Sequence, residues 1–386
     1  MNTKIIAIAA VVILAGGIVG AVVLSNSNNS DDDSAISIVD GAGKTIKLDK
    51  PLQNVCVINS NITKGMKMLG ISDNIKCYHY SKTLGIKAES DSGAKLGTYY
   101  TPSVETLLSY DVDAVLCPVS SMTLVAGTAK TCEENGIKVI RLDCYGESTL
   151  EDVKKLTKLF GEPEAAVKSM ERFEKEYNDT LEAIKNALGS KDKMNYLYTF
   201  GAFGEEGSII NEKSGLSEIL APYFTTNVTE YTNLGSSVSG VSNKVNDGST
   251  EELQKVQDKI DCFAIRLDLN IVKSDKPYDP VTKDAIPSFN GYVGDGKIVT
   301  GTSPAATNGK IYVINTDLVS GLYAHIGILI LVSQAYGIEV EGYTDLSKVI
   351  DDFQTWTTLD MIENGEYTYL QFNGDGSHVD YKFVDA

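Results

Sequence analysis

The residues with chemical reach in this chain are aromatic and hydroxyl-bearing rather than paired acids and bases. Tyr78, His79 and Tyr80 stand together, Tyr99 and Tyr100 precede Pro102, and Tyr145 follows an apolar run at 138–143. Asn61, Ser120 and Ser121 occupy comparable positions, and Phe200, Phe203 and Arg266 do so in the second half. Aromatic rings give flat contact area with polar phenol tips, which suits non-covalent capture of a flat macrocycle or a hydrophobic metal chelate. A triply anionic catecholate complex suits them less, because the arginines are only Arg141, Arg172 and Arg266. No nucleophile–base pair and no metal triad emerges, so the expectation is binding without catalysis and without a resident cofactor.

Histidine is limited to His79, His325 and His378. A zinc or manganese site needs several imidazoles or carboxylates converging on the ion, and three scattered histidines do not supply them. His79 or a neighbouring tyrosine is left as a candidate axial ligand to a haem or cobalt centre. His325 lies in a strongly apolar segment and reads as a satisfied core histidine. The stretch GYVGDGK at 291–297 has the spacing of a phosphate-binding loop, but Ile298 replaces the required Ser or Thr and Asp295 would repel phosphate. The six cysteines lie mostly in short apolar runs and none has C-x-x-C spacing, which predicts buried free thiols.

These residues need elements to position them. Apolar runs at 55–59, 75–80, 114–119 and 138–143 alternate with helical patterns, one of them opening at Ser103. Strands of this kind, without polar alternation, indicate a parallel sheet covered on both faces. Ligand-facing loops then lie beyond the strands' carboxyl ends, where Asn61, His79, Ser120 and Tyr145 fall. Val167, Met170, Phe173, Tyr177, Leu181, Ile184 and Leu188 form a one-faced stripe on a helix of about 25 residues, roughly 38 Å long. A strand pattern restarts directly after Gly189, so this helix reads as a bridge between halves. The second half repeats the alternation, with strands at 194–201, 262–267 and 310–315, helices at 215–223 and 250–257, and a buried apolar helix at 320–337. The expected architecture is α/β: two lobes with mainly parallel sheets joined by one long helix, with the ligand cleft between them. Residues 36–162 would form the first lobe, 163–189 the connecting helix and 190–386 the second lobe.

Residues 5–24 form an unbroken apolar run behind Lys4, long enough to cross the roughly 30 Å hydrocarbon core, with a polar spacer at 25–35. Lys4 before the run and Asp31, Asp32 and Asp33 after it agree with an extracytoplasmic, membrane-tethered body, or a secreted one if the segment is cleaved. The chain carries 34 basic and 52 acidic side chains, a net charge of -18. Such a charge excludes nucleic acid as a partner.

Three segments resemble the extracytoplasmic substrate-binding proteins of the ferric-siderophore, haem and cobalamin type, which feed ABC importers. SIVDGAGKTIKLDKPLQNVCVIN is similar to that family's opening hairpin and first strand. GTYYTPSVETLLSYDVDAVLC is similar to its P-S-x-E segment, although Val112 stands where proline is usual. NGKIYVIN followed by an apolar helix is similar to its closing motif. The resemblance spans about residues 36–337 and implies two α/β lobes on a backbone helix with little hinge motion. It further implies a monomer that hands an iron-siderophore, haem or corrinoid to permease subunits through an acidic residue on each lobe, here Glu105 and Glu218. Residues 343–386 match poorly and are expected to cap the second lobe. The same fold plan is compatible with two alternatives, a sensor or surface ectodomain that binds without transport, and a metallocluster oxidoreductase.

Overall fold

The computed structural model describes residues 36–78, 101–119, 124–201, 208–210, 215–234, 241–244, 247–267, 269, 279–319, 321–359 and 367–382. Strands β1 (Ile36–Val39) and β2 (Thr45–Leu48) pair antiparallel. Asp40 closes their turn: its Oδ1 accepts the N–H groups of Ala42 and Lys44 at 3.0 and 2.9 Å, and its Oδ2 accepts the Arg141 N–H at 3.1 Å. One buried carboxylate thus shapes the D-G-A-G-K turn and ties it to the first lobe.

That lobe continues through β3 (Val55–Val57), α1 (Ser60–Met68), β4 (Ile75–Tyr78), α2 (Val104–Ser109), β5 (Ala114–Cys117), α3 (Ala126–Glu134), β6 (Lys138–Arg141) and α4 (Thr149–Leu159). Its four strands are all parallel in the order β4-β3-β5-β6. β3 and β5 are buried at every position, which explains their uninterrupted apolar runs. Ile62, Met66, Val153 and Leu156 of α1 and α4 pack on one face of the sheet with Val57 and Leu116. Leu107 and Cys132 of α2 and α3 pack on the other with Cys56 and Val115. All six cysteines are buried and free, as their settings in the sequence predict.

Helix α5 (Glu164–Leu188) follows Pro163, whose fixed φ suits a helix start, and ends at Gly189 with a φ of +55°. It buries Met170, Phe173, Tyr177, Ile184 and Leu188, while Val167 and Leu181 flank the stripe half-buried. The second lobe then comprises β7 (Tyr196–Phe200), β8 (Ser208–Ile210), α6 (Gly215–Glu218), β9 (Val241–Lys244), α7 (Asp247–Gln254), β10 (Cys262–Leu267), α8 (Ile286–Tyr292), α9 (Pro304–Thr307), β11 (Ile311–Asn315), α10 (Ala324–Tyr336), α11 (Leu346–Thr357), β12 (Tyr367–Phe372) and β13 (His378–Lys382). Its sheet runs β13-β12-β11-β10-β7-β8-β9. β7, β10 and β11 form a parallel centre, and antiparallel ribbons extend it on both sides.

Helix α10 is buried around nearly its whole circumference, and α5 packs between it and α4 of the first lobe. No helix among the described residues is long and apolar enough to cross a membrane, and the apolar run at 5–24 lies outside those residues. α6 is one turn long, shorter than the sequence pattern predicts. Its chain turns at Ser217, whose carbonyl accepts from both Leu220 and Ala221, and Pro222 disfavours a helical residue before it. At the phosphate-loop look-alike, α8 ends at Tyr292 and Val293 bridges to Val299. No helix N-terminus is therefore aimed at a would-be phosphate there.

Candidate functional site

On the first lobe, the loops beyond β3 and β6 face the second lobe. Asn59 caps α1, its Oδ1 accepting the N–H groups of Asn61 and Ile62 at 2.8 and 3.1 Å. This places the Asn61 side chain against Gly321: a Cβ there would lie 2.7 Å from Asn61 Oδ1 and 3.3 Å from the Cys144 carbonyl. Gly321 has a φ of +58°, so glycine meets both the backbone and the spatial demand at this close approach. One turn along α1, Lys64 Nζ meets Asp317 Oδ1 at 2.9 Å, an ion pair joining the lobes with both side chains largely buried.

Beyond β6 the buried carboxylate of Asp152 organises the turn. Its Oδ2 accepts the N–H groups of Asp143 and Cys144 at 2.8 and 3.1 Å and the Ser148 hydroxyl at 3.0 Å, while Lys155 Nζ meets Oδ1 at 3.0 Å. These bonds hold Cys144 at a φ of +46°, a conformation rare for a residue with a Cβ. The bent turn delivers Tyr145, half-buried, to the lobe junction. Asp143 Oδ1 accepts the Val119 N–H at 2.9 Å and so ties this turn to the end of β5; burial raises the Asp143 carboxyl's pKa.

On the second lobe, Tyr196, Tyr198 and Phe200 alternate along β7 onto the face shared with Cys262, Ala264 and Arg266 of β10. Phe200 and Arg266 are register partners at the strands' carboxyl ends, with the guanidinium carbon 5.0 Å from the ring centroid. Burial raises the Tyr198 phenol's pKa; nearby Arg266 opposes the shift and Tyr145 of the other lobe adds to it. Tyr198 is 2% exposed and belongs to the core of this face, whereas Phe200 at the strand end remains 38% exposed beside Arg266. Arg266 Nε is buried, and no hydrogen-bond partner meets it among the described residues.

The sequence matches no protein-family model and no curated protein. Its likenesses are to solved structures. One is the TroA-like periplasmic binding protein FepB from Veillonella parvula, at TM-score 0.61 and 14% identity over 88% of this chain and 100% of that one. Another is the iron uptake ABC transporter substrate-binding protein PiuA from Streptococcus pneumoniae, at TM-score 0.54 and 16% identity over 78% and 99%. A third is a periplasmic heme binding protein from Pseudomonas aeruginosa, at TM-score 0.52 and 15% identity over 74% and 93%. The chain has the TroA-like binding-protein fold.

Within this fold, Asn61 and the Cys144 carbonyl beside Tyr145 meet Gly321 at the lobe junction, and Phe200 and Arg266 end adjacent strands of the second lobe's sheet. Tyr78 ends β4, and only its backbone is described. His79, Tyr80, Tyr99, Tyr100, Ser120, Ser121 and Phe203 lie outside the described residues. Glu105 is exposed in the first turn of α2, which Ser103 Oγ caps through the Thr106 N–H at 3.2 Å; exposed Leu108 follows one turn later. Glu218 is exposed on α6, which packs against the Gly146–Ser148 turn of the other lobe. Burial raises its carboxyl's pKa, and Glu147 of that turn adds to the rise. Among the described residues, no group of three or more His, Cys, Asp or Glu side chains is arranged to hold a metal ion.

Four residues that shape this region escape the sequence reading. Tyr198 was within reach, because it shares the period-2 face of Phe200. Asp152 carries no signal beyond a helix-start carboxylate, and the Lys64–Asp317 pair, 253 residues apart, carries none.

Proposed function

We propose that the protein is the extracytoplasmic solute-binding component of an ABC importer, capturing an iron complex, haem or corrinoid between its lobes and delivering it to the permease. The observation that carries this reading is the α/β fold with its long connecting helix, shared with an iron uptake ABC transporter substrate-binding protein and a periplasmic heme binding protein, together with the exposed Phe200 ring beside Arg266 at the strand ends. Residues 5–24 would tether the body at the outer face of the membrane. Glu105 and Glu218 would dock it to the transporter's membrane subunits.

The test is a titration of the purified chain with haemin, cobalamin, cobinamide, a ferric hydroxamate and a ferric catecholate, followed by absorbance and by fluorescence of Trp356. Saturable binding of one of these in the micromolar range or tighter, weakened at least about tenfold by Tyr145→Ala with Phe200→Ala, is the expected result. Binding of none by a folded protein refutes the reading.

A further inference from the structure

The hairpin at the head of the first lobe has a free side. β1 pairs with β2 alone, so its other edge carries a row of backbone groups with no strand beside them among the described residues. The Asp40 N–H donates to the Lys44 carbonyl at 3.0 Å, which sets the hydrogen-bonded pairs of the ribbon at 40/44, 38/46 and 36/48. Ser37 and Val39 therefore turn their N–H and C=O groups away from β2. Beyond the ribbon itself, no hydrogen bond among the described residues reaches those groups. Val39 also leaves 54% of its surface exposed beside them.

This edge borders an open groove of about 400 Å³ between β1, α4 and the first turns of α5. The groove's floor is apolar: Ile38 and Met170 are buried in it, and Val167 is half-buried beside them. Its rim is charged but unevenly satisfied. Lys154 already meets Glu151 and Glu174, at 3.3 and 2.7 Å, and Lys155 meets Asp152 at 3.0 Å. What remains is Lys158 against Glu162 and Glu171, all three exposed and without an ion-pair partner among the described residues. The unpaired balance is acidic, as is the whole chain at -18. An occupant that satisfies this groove brings an extended backbone for Ser37 and Val39, an apolar side chain for the floor and positive charge for the rim.

We propose that β1 is a docking edge for an extended, basic segment of another protein, which adds as a third strand to the β1–β2 ribbon. Strand addition draws affinity from main-chain hydrogen bonds and selectivity from alternate side chains. Ser37 and Val39 are two residues apart, about 7 Å along the strand, so a segment of about four residues reaches both. One of its apolar side chains rests on Val39 and Val167, and a basic neighbour reaches Glu162 and Glu171. The acidic field of the body speeds the encounter with such a segment and disfavours an acidic competitor. This surface uses none of the residues assigned to the cargo or to the permease, so it stands or falls apart from the importer reading.

The probe is a fluorescein-labelled Lys-Val-Lys-Val-Lys amide, titrated into the purified full chain and followed by fluorescence anisotropy. Two companions carry N-methyl groups, one on the valine nitrogens and one on the lysine nitrogens. Each keeps the charge and removes the donors of one strand edge. One of the two should bind at least about tenfold more weakly than the parent peptide. Val39→Pro removes an outward N–H while leaving the bonds to β2 in place, and should weaken the parent at least about fivefold. Glu162→Gln with Glu171→Gln should weaken it by a similar factor and flatten its salt dependence. Circular dichroism confirms folding, and the methylated peptides carry the test if the proline variant does not fold. Equal binding of all three peptides marks diffuse attraction to an acidic body and overturns the proposal. So does a parent peptide that fails to bind at millimolar concentration, or that ignores Val39→Pro in a folded protein. A wild-type dimer that Val39→Pro dissociates, seen by light scattering, assigns the edge to a second copy of the chain and overturns it as well.

Discussion

His325 gives the structure a measurable acid sensitivity. Its ring is 1% exposed on α10, enclosed by Phe173 and Tyr177 of α5 and Phe353 of α11, with ring centroids 5.0 to 6.2 Å away. Neither ring nitrogen has a well-formed hydrogen bond; the Leu322 carbonyl favours the proton only weakly, and desolvation pushes the pKa down to about 3. In the unfolded chain the imidazole titrates near its ordinary value of about 6.5. Below that pH the unfolded state takes up a proton that the folded state refuses, so stability is lost as pH falls and continues to be lost until the folded value is reached. Between pH 7.5 and pH 5.0 the difference amounts to about 2 kcal/mol, from 1.36 kcal/mol for each pH unit below the unfolded pKa. His325→Phe abolishes this proton uptake while keeping an aromatic ring in the cage. Any packing penalty is independent of pH and cancels when each protein is compared with itself. Urea unfolding followed through Trp356, whose ring stands 5.6 Å from Phe353, measures the loss in both proteins. The wild type should lose about 2 kcal/mol more than the variant over this interval, and equal losses within about 0.5 kcal/mol would refute the argument.

The inter-lobe ion pair should show strong coupling. Lys64→Met alone leaves Asp317 buried without its partner and should destabilise by about 3 kcal/mol, whereas Lys64→Met with Asp317→Leu should recover more than half; additive losses in a double-mutant cycle would contradict a direct pair. The thiols should be inert in the folded protein. Burial pushes Cys117 and Cys262 up to about 12, so almost no thiolate exists at pH 8, and a maleimide should label none of the six until denaturant is added. Mass spectrometry that finds fewer than six labels after unfolding would reveal a disulfide.

The parallel cores of both lobes were legible because strands buried on two faces must be apolar nearly throughout: β3, β5, β10 and β11 all announce themselves as short runs bounded by helical periodicity. α5 was legible from its stripe, since a helix between two packed lobes keeps one dry face. The antiparallel flanks were not. β8 and β9 are only 3 and 4 residues long, and their pairing is fixed by partners rather than by their own pattern. The last stretch hides α11 and the β12–β13 hairpin, because edge strand β13 is largely exposed and its side chains need not be apolar. Asn61, Tyr145, Phe200 and Arg266 were singled out by the rule that binding loops follow the carboxyl ends of strands, and the structure places them at or just beyond such ends. What the rule could not supply is pairing across the lobes. His325 was expected as a satisfied core histidine; it is in the core, but its aromatic cage offers rings where hydrogen-bond acceptors were anticipated.

The same C-terminal segment that escaped the sequence reading ties the connecting helix to both lobes. α11 braces the connecting helix: the Trp356 indole N–H donates to Glu176 Oε2 at 2.8 Å, and Arg172 lies over the indole at 4.5 Å. Burial raises the Glu176 carboxyl's pKa, a rise that the indole bond and Arg172 oppose. α11 also reaches α1 of the first lobe, beside the turn that carries Asn61 and Lys64. α5 is therefore not a lone hinge. It is flanked by an ion pair between lobes, by the close approach of Asn61 to Gly321, and by a third helix gripping its midpoint through a charged and aromatic contact. If the proposed cargo binds between lobes tied in this way, its walls are formed before it arrives and binding need not order them.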